Sequence, residues 1–348
     1  MRPSEMTGRP VRVAVDAMGA DRGPEEIVAG ALEAASPELR PLIVGPPGLD
    51  TQGLELVEAT DVIEMDDKPT EAVRSKPNSS LVVACRLVGD GRADAVVSPG
   101  NTGAMLAASL FHIHRLKGVL RPAIAVVIPA RTAPSVLIDA GANADARPEH
   151  LAQFAQMGAI LSKEVLGVPQ PIVQLLSIGE ESEKGNQLTL EAHALLAQLG
   201  DADFRFAGNT EGRNVLGGGG EVIVTDGFTG NVALKLLEGT IKTVLEWLRE
   251  EIVATPRGKL GGLLIRPAAR RLRTRLDPDT YGGAYLLGLR GLAVIAHGNS
   301  SSRAIANAIH LAARGVEHDV VGRLAERLGE QRTVLESATS TTPTPQTR

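Results

Sequence analysis

The sequence predicts an α/β protein with a mostly parallel sheet and helices packed on both faces. Three observations predict it. Short β-branched runs recur along the chain and are continuously apolar, as in strands covered on both sides. Stretches with apolar residues at helical spacing lie between the runs. Several runs end in clusters of Gly, Asn, Asp and Thr, the residues of tight strand-to-helix turns.

Taken in order, strands are expected at 11–16 (VRVAVD), 41–45 (PLIVG), 61–65 (DVIEM), 95–98 (AVVS), 123–128 (AIAVVI), 135–139 (SVLID), 172–178 (IVQLLSI), 204–208 (FRFAG), 221–226 (EVIVTD) and 292–297 (LAVIAH). Helices are expected at 101–115, 147–166, 188–199 and 300–314, with a longer one at about 230–252. In that last stretch Leu236, Leu237, Ile241, Val244, Leu245, Leu248 and Ile252 keep the helical period. No repeat and no linker-like break interrupts 11–335, so a single domain with a cleft is expected there, and the Ser/Thr/Pro-rich residues 337–348 read as a disordered tail.

Composition narrows the function. A chain of 348 residues with 43% apolar and 22% charged residues can bury a large core, which excludes a disordered chain. Eight aromatic residues and a net charge of -5 offer neither stacking platforms nor a basic surface, so no nucleic acid is expected as a partner. Cys85 is the single cysteine, which excludes an intramolecular disulfide and a thiolate zinc cluster. With no apolar signal region at the start of the sequence, a reducing cytoplasm is the expected compartment. No apolar run reaches the roughly 18 residues of a membrane span, although lying on a bilayer surface stays open.

Five strand ends carry the clusters: 16–19, 98–103, 139–143, 226–231 and 297–302. Ligands in open α/β sheets bind outside the carboxyl ends of strands, where backbone N–H groups and helix N-termini face an anion, so the five are expected to converge on one anion-binding cleft. Neither a dinucleotide-binding glycine fingerprint nor a P-loop occurs. The tetraglycine Gly217–Gly220 precedes a strand and reads as a flexible loop. Lys184, in the loop 179–186, is either a solvated charge or a point cation for phosphate or an oxyanion. Cys85 reads as a small hydrophobe, and His112 and His114 point to different helix faces, so no metal site is expected. No histidine and acid stand in triad order with the cleft hydroxyls.

Between Arg257 and Arg275 lie seven Lys/Arg and no acid. Leu260, Leu264, Leu272 and Leu276, with Ala268 between, recur every four positions among Arg266, Arg270, Arg271, Arg273 and Arg275. Such a basic amphipathic segment can lie in an anionic lipid interface, receive an acidic protein, or pack a dimer. Pro267 near its middle predicts a bent hairpin over one straight helix.

The ordered blocks VAVDAMGADRGPEE, SKPNSSLVVA, SPGNTGAMLAAS, LIDAGANADARPEHLAQFAQMG, SIGEESEKGN, GNTEGRN, TDGFTGNVALK, YGGAYLLGL and AHGNSSSRA, spanning about residues 11–320, resemble the bacterial phosphate acyltransferase family. The resemblance implies transfer of a long acyl chain from acyl-carrier protein to inorganic phosphate in phospholipid synthesis. It further implies a fold similar to phosphotransacetylases and isocitrate/isopropylmalate dehydrogenases, a homodimer, attachment to the inner membrane face near a membrane glycerol-3-phosphate acyltransferase, and no cofactor or metal. This chain departs from the family pattern at Ala20, Pro99, Asn214 and Asn299, and carries Ile295 where many members have lysine.

Phosphate is already ionised at neutral pH and a pantetheine thiol leaves readily, so such a reaction needs positioned donors more than a strong acid or base. On that ground Lys184, Asn186, Asn231 and His297 are the expected catalytic set, and Asn101, Thr102 and Gly103 are expected to bind phosphate at a helix N-terminus. Asp139 and Asp226 are expected to orient these donors, with Asp16, Gly19, Asn143, Thr229, Gly230, Asn299 and Ser300 completing the substrate site and Leu260, Leu264, Leu272, Leu276, Arg270 and Arg271 meeting the membrane. The competing readings are a phosphotransacetylase-like enzyme acting on acyl-coenzyme A, an isopropylmalate-type dehydrogenase, and a non-catalytic membrane-surface scaffold, which would have no use for the clusters.

Overall fold

The computed structural model describes residues 9–199 and 204–328. The expected tail at 337–348 lies outside them. In chain order the elements are β1 (Val11–Asp16), α1 (Pro24–Ala34), β2 (Leu39–Gly45), β3 (Glu55–Glu58), α2 (Pro69–Ser75), α3 (Ser80–Gly89), β4 (Ala95–Ser98), α4 (Thr102–His112), β5 (Ala123–Ile128) and β6 (Ser135–Ile138). There follow α5 (Pro148–Leu166), β7 (Ile172–Ser177), α6 (Gln187–Leu199), β8 (Arg205–Glu211), β9 (Val222–Val224), α7 (Gly227–Val253), α8 (Pro256–Leu276), β10 (Ala284–Leu287), β11 (Leu292–Ile295) and α9 (Ser302–Glu317).

The strands form one sheet in the order β3-β2-β1-β4-β11-β10-β5-β6-β9-β7-β8. Two cores cover its faces. Ile27 of α1, Phe154 of α5 and Ile305 of α9 anchor one, while Leu81 of α3, Met105 of α4 and Leu234 of α7 anchor the other. The α/β class with a mostly parallel sheet is therefore as expected, because strands such as Ala95–Ser98 are buried along their whole length.

Three pairings are antiparallel, and they decide where the site can be. The strand β10 runs against both β11 and β5, and β6 runs against β5. The parallel pairings on either side then give β1, β2, β3, β4, β11 and β5 one direction and β6, β7, β8, β9 and β10 the other. The carboxyl ends thus fall on two opposite edges. The clusters 16–19, 98–103 and 297–302 share one edge, whereas 139–143 and 226–231 lie at the other, so one cleft can draw on them only by spanning the face of the sheet.

Four local expectations are also corrected. Residues 61–65 form no strand; Asp61 makes one isolated bridge to Ser79 and Ile63 turns into the core against the helices. Two strands went unpredicted: β3 is a half-exposed edge strand whose ELVE lacks a long apolar run, and β10 is a four-residue segment between glycines. His114 lies beyond α4 with positive φ, so it shares no helix with His112. The helix α8 runs unbroken through Pro267, whose missing N–H orphans only a carbonyl that water can reach on this exposed helix. The chain does reverse, but earlier: Thr255 accepts the amide of Gly258 at 3.0 Å and Pro256 opens α8, which packs back along α7.

Candidate active site

At the first edge, the sequence places an aspartate at the end of β1, and the fold buries it completely. The Asp16 carboxylate accepts hydrogen bonds from Ser80 Oγ at 2.5 Å, Ser98 Oγ at 2.7 Å and the Met18 amide at 3.1 Å. Burial pushes its pKa up, and these hydrogen bonds pull it back. Gly19 sits so close to Gly100 that a Cβ would lie 2.7 Å from the Gly100 Cα. These contacts fix the loop that leads into α4. There Asn101 caps the helix by accepting from the Ala104 amide at 3.0 Å, while its Nδ2 donates to the Met65 carbonyl at 3.0 Å. Asn299 accepts from Arg22 Nε at 2.8 Å, and the Ser300 amide donates to the His297 carbonyl at 3.0 Å, which shapes the turn that presents the His297 ring.

At the opposite edge, Asp139 performs the same task with different partners. Its Oδ1 accepts the amides of Ile124, Gly141 and Ala142, and its Oδ2 accepts the amide and Nδ2 of Asn143 at 2.8 Å each. Its pKa is likewise raised by burial against the pull of those bonds. Asp226 is the N-cap of α7, accepting the Thr229 amide at 2.8 Å. Gly230 lets the first turn of α7 settle on the Asp139 backbone, since a Cβ there would stand 2.0 Å from the Asp139 carbonyl oxygen.

The two edges are joined by α7. It starts beside Gly141, where Asn231 packs, and crosses the sheet face until Glu238 reaches His297, with Glu238 Oε1 3.6 Å from His297 Nε2. The same carboxylate holds Lys235 Nζ at 2.9 Å. Beneath it lies a cavity of about 820 Å³, roofed by α7 and floored by β5, β10 and β11. Thr102 and Gly103 of α4, Gly141 and Ala142 after β6, and Asn231 and His297 all line it. The cavity therefore draws on both edges and lies on the face between them.

Four of the expected residues meet there directly: Asn231, His297, Thr102 and Gly103. Asp16, Gly19, Asn101, Asp139, Asn143, Asp226, Thr229, Gly230, Asn299 and Ser300 stand outside the lining, and those just described build the loops and caps that carry it. Lys184 and Asn186 are not brought to this cavity. Asn186 caps the start of α6, accepting the Thr189 amide at 2.9 Å, and Lys184 packs on Gly179 in the loop after β7. The carboxylate beside His297 is Glu238, not the expected Asp139 or Asp226.

Sequence reasoning missed Lys235, Glu238 and Lys242. Their signal was present as a charged row at i, i+3 and i+7 beside the apolar residues of the long helix. That apolar stripe also divides: Leu237, Ile241 and Leu245 line the cavity, while Leu236 and Trp247 are exposed on the far side with Phe228 and Val232. The leucine series on α8 divides for a similar reason. A four-residue step overshoots a helical turn by about 40°, so Leu260 and Leu276 end on opposite sides of the helix. Leu260 and Leu264 are exposed, with Leu263 beside them, and Leu272 is half-exposed. Leu276 leaves the expected lipid face and lines the cavity.

Cys85, fully buried beside Met105 and Ser109, has its thiol pushed up to about 12 by burial, which removes it as a nucleophile. Among the described residues no cluster of His, Cys, Asp and Glu could hold a metal ion, and no helix is long and apolar enough to cross a membrane.

The fold is that of the phosphotransacetylases. The structure matches EutD phosphotransacetylase from Staphylococcus aureus with a TM-score of 0.58 at 17% identity, covering 90% of this chain and 96% of that one. A phosphotransacetylase from Streptococcus pyogenes gives 0.59 at 18% identity, with 90% and 96% covered. Sequence comparison is more specific. Residues 11–323 match the family described as fatty acid synthesis protein. Phosphate acyltransferase from Heliobacterium modesticaldum is 44% identical over 330 residues, 91% of this chain and 98% of its own length. The enzyme of the same name from Thermosynechococcus vestitus is 48% identical over 326 residues, covering 90% and 94%. The chain belongs to the phosphate acyltransferase family.

Proposed function

We infer that the protein transfers a long acyl chain from the thioester of acyl-carrier protein to inorganic phosphate, giving acyl phosphate and the free carrier thiol on the way to phospholipids. The observation that carries this reading is a single cavity in which polar donors from both sheet edges stand beside apolar walls. Relatives named phosphate acyltransferase, aligned over nine-tenths of the chain, support it.

In the reaction, a phosphate oxygen attacks the thioester carbonyl carbon and a C–O bond forms. The tetrahedral oxyanion collapses, the C–S bond breaks, and its electron pair leaves on sulfur. A thiol of this type has a pKa of roughly 8.5, so the thiolate departs without a strong acid and takes its proton from His297 or water. The amides at the start of α4, with Thr102 and Gly103, hold the phosphate. Asn231 and Lys235 supply donors for the oxyanion, a contribution typically worth about 10²–10³ in rate for each positioned donor. Glu238 keeps Lys235 and His297 on the same side of the cavity. Lys184 and Asn186 join this set only where a second copy brings its 179–186 loop to the cavity mouth.

Purified protein supplied with palmitoyl-carrier protein, palmitoyl-coenzyme A and phosphate tests the reading, following acyl phosphate and free thiol. Acyl phosphate from the carrier protein is the expected product. Turnover with coenzyme A alone would make the enzyme phosphotransacetylase-like, and no turnover with either donor would leave a scaffold.

The proposal extends to assembly and place. A homodimer would cover the exposed Phe228, Val232, Leu236 and Trp247 of α7. On α8, the exposed Leu260, Leu263 and Leu264 stand among Arg257, Lys259, Arg266, Arg270 and Arg271, a composition suited to the anionic inner face of a membrane where a glycerol-3-phosphate acyltransferase would take the product. Replacing those three leucines by Glu is expected to abolish flotation with anionic liposomes and leave soluble turnover within about twofold, as for surface changes remote from a site. Retained flotation would remove the membrane assignment.

A further inference from the structure

The helix α7 offers the cavity two adjacent rows. Asn231, Lys235, Glu238 and Lys242 form a polar row, and Leu234, Leu237, Ile241 and Leu245 form an apolar one. Spacings of three and four residues keep each row on its own line along the helix. Facing the apolar row are Ile124, Val126 and Ile128, alternate residues of β5 that share one face of the sheet. Leu276 of α8 also lines this cavity. From Glu238, where the helix meets His297, to Leu245 the apolar row extends over about 10 Å of helix, room for about the first eight carbons of an extended acyl chain. Its neighbour, the polar row, carries Glu238, which meets His297.

We propose that the seam between the apolar row of α7 and β5 binds the acyl chain of the substrate, and that Ile241 sets the chain length accepted. The proposal rests on the acyl-transfer reading for its ligand. A chain whose carbonyl lies beside His297 enters the seam at Glu238 and passes Ile241 before it reaches Leu245. A larger side chain at Ile241 would close the seam just beyond the reacting group and leave the polar row unchanged. The cation Lys235, paired with Glu238 beside His297, suits the ionic end of such a ligand, so a single amphiphile satisfies both rows.

Binding and turnover together decide the matter. Calorimetry with propylphosphonate and dodecylphosphonate, below their micellar concentrations, is expected to show that the full chain holds the longer ligand at least about tenfold more tightly. Ile241→Trp should erase that difference and leave the affinity for propylphosphonate, whose tail stops before Ile241, unchanged. In turnover, the same variant should lose palmitoyl-carrier protein and keep butyryl-carrier protein, whose short chain stops before Ile241. A wild-type protein indifferent to chain length overturns the proposal, as does a folded Ile241→Trp that keeps the long-chain preference or loses both ligands equally. Should Ile241→Trp not fold, Ile241→Phe carries the same expectation with a smaller change. Chain-length-dependent binding without any acyl phosphate formed would end the acyl-transfer reading while leaving the seam in place.

Discussion

The two edges of the sheet answer the same demand with different chemistry. Each must hold a loop still at the end of a buried strand, and each does so with a buried aspartate. Asp16 is held by two serine hydroxyls and the amides of Met18 and Gly19, whereas Asp139 is held by four backbone amides and an asparagine. Hydroxyl partners can reverse their role from donor to acceptor, and amides cannot. The β1 edge is therefore adaptable, and the β6 edge is a fixed platform on which α7 starts.

The largest effect that can break this comparison is on turnover. Asn231 stands on the fixed platform inside the cavity, and Lys184 lies beyond it on the same side of the sheet. Asn231→Ala should lower kcat by two to three powers of ten, as for loss of one oxyanion donor. Lys184→Ala should stay within about threefold if the cavity of one chain is complete, since such surface changes remove nothing from the site. A loss at Lys184 as large as that at Asn231 would place the 179–186 loop in the site and require a second copy to deliver it.

Stability sharpens the comparison next. Asp139→Asn turns an acceptor into a donor facing amides, whichever way the side chain flips, and should cost about 2–4 kcal/mol in urea denaturation. Asp16→Asn can donate to Ser98 Oγ, which keeps a lone pair beside the bond from the Gly100 amide, and should cost less, about 1–2 kcal/mol. Equal losses would refute the distinction between the edges.

The smallest expected effect is on reactivity. Cys85 lies under the β1 edge, and its thiol, pushed up to about 12 by burial with the Asp16 charge adding to the rise, stays neutral through pH 9. Iodoacetamide at that pH should leave it unlabelled in the native wild type and label it in denaturant. Rapid labelling of the native protein would show that the β1 edge opens locally, and Cys85→Ala should keep turnover in either case.

Much of the fold was legible because burial writes itself into composition. Residues 95–97 and 123–128 are apolar throughout and lie in central strands, and the cluster after the first became the loop that leads into α4. The long helix was legible as an element, but not which side of it mattered: Leu236 and Leu237 carry the same periodic signal, and only packing puts Leu237 on the cavity and Leu236 in the open. The ELVE of β3 stayed hidden because an edge strand needs little apolar content.

By itself the sequence determined the α/β class, the strand-end turns, the absence of any dinucleotide or P-loop fingerprint, and membership of a family through its ordered blocks, since each of these depends on neighbours along the chain. Only the tertiary structure decided that β10 and β6 run against their neighbours, so that the turns divide between two edges. It decided, too, that α7 recombines them by bringing Glu238 to His297 and Asn231 to Gly141. Strand direction depends on pairings between segments far apart in sequence, and a local pattern carries the same apolar signal whichever way the strand runs.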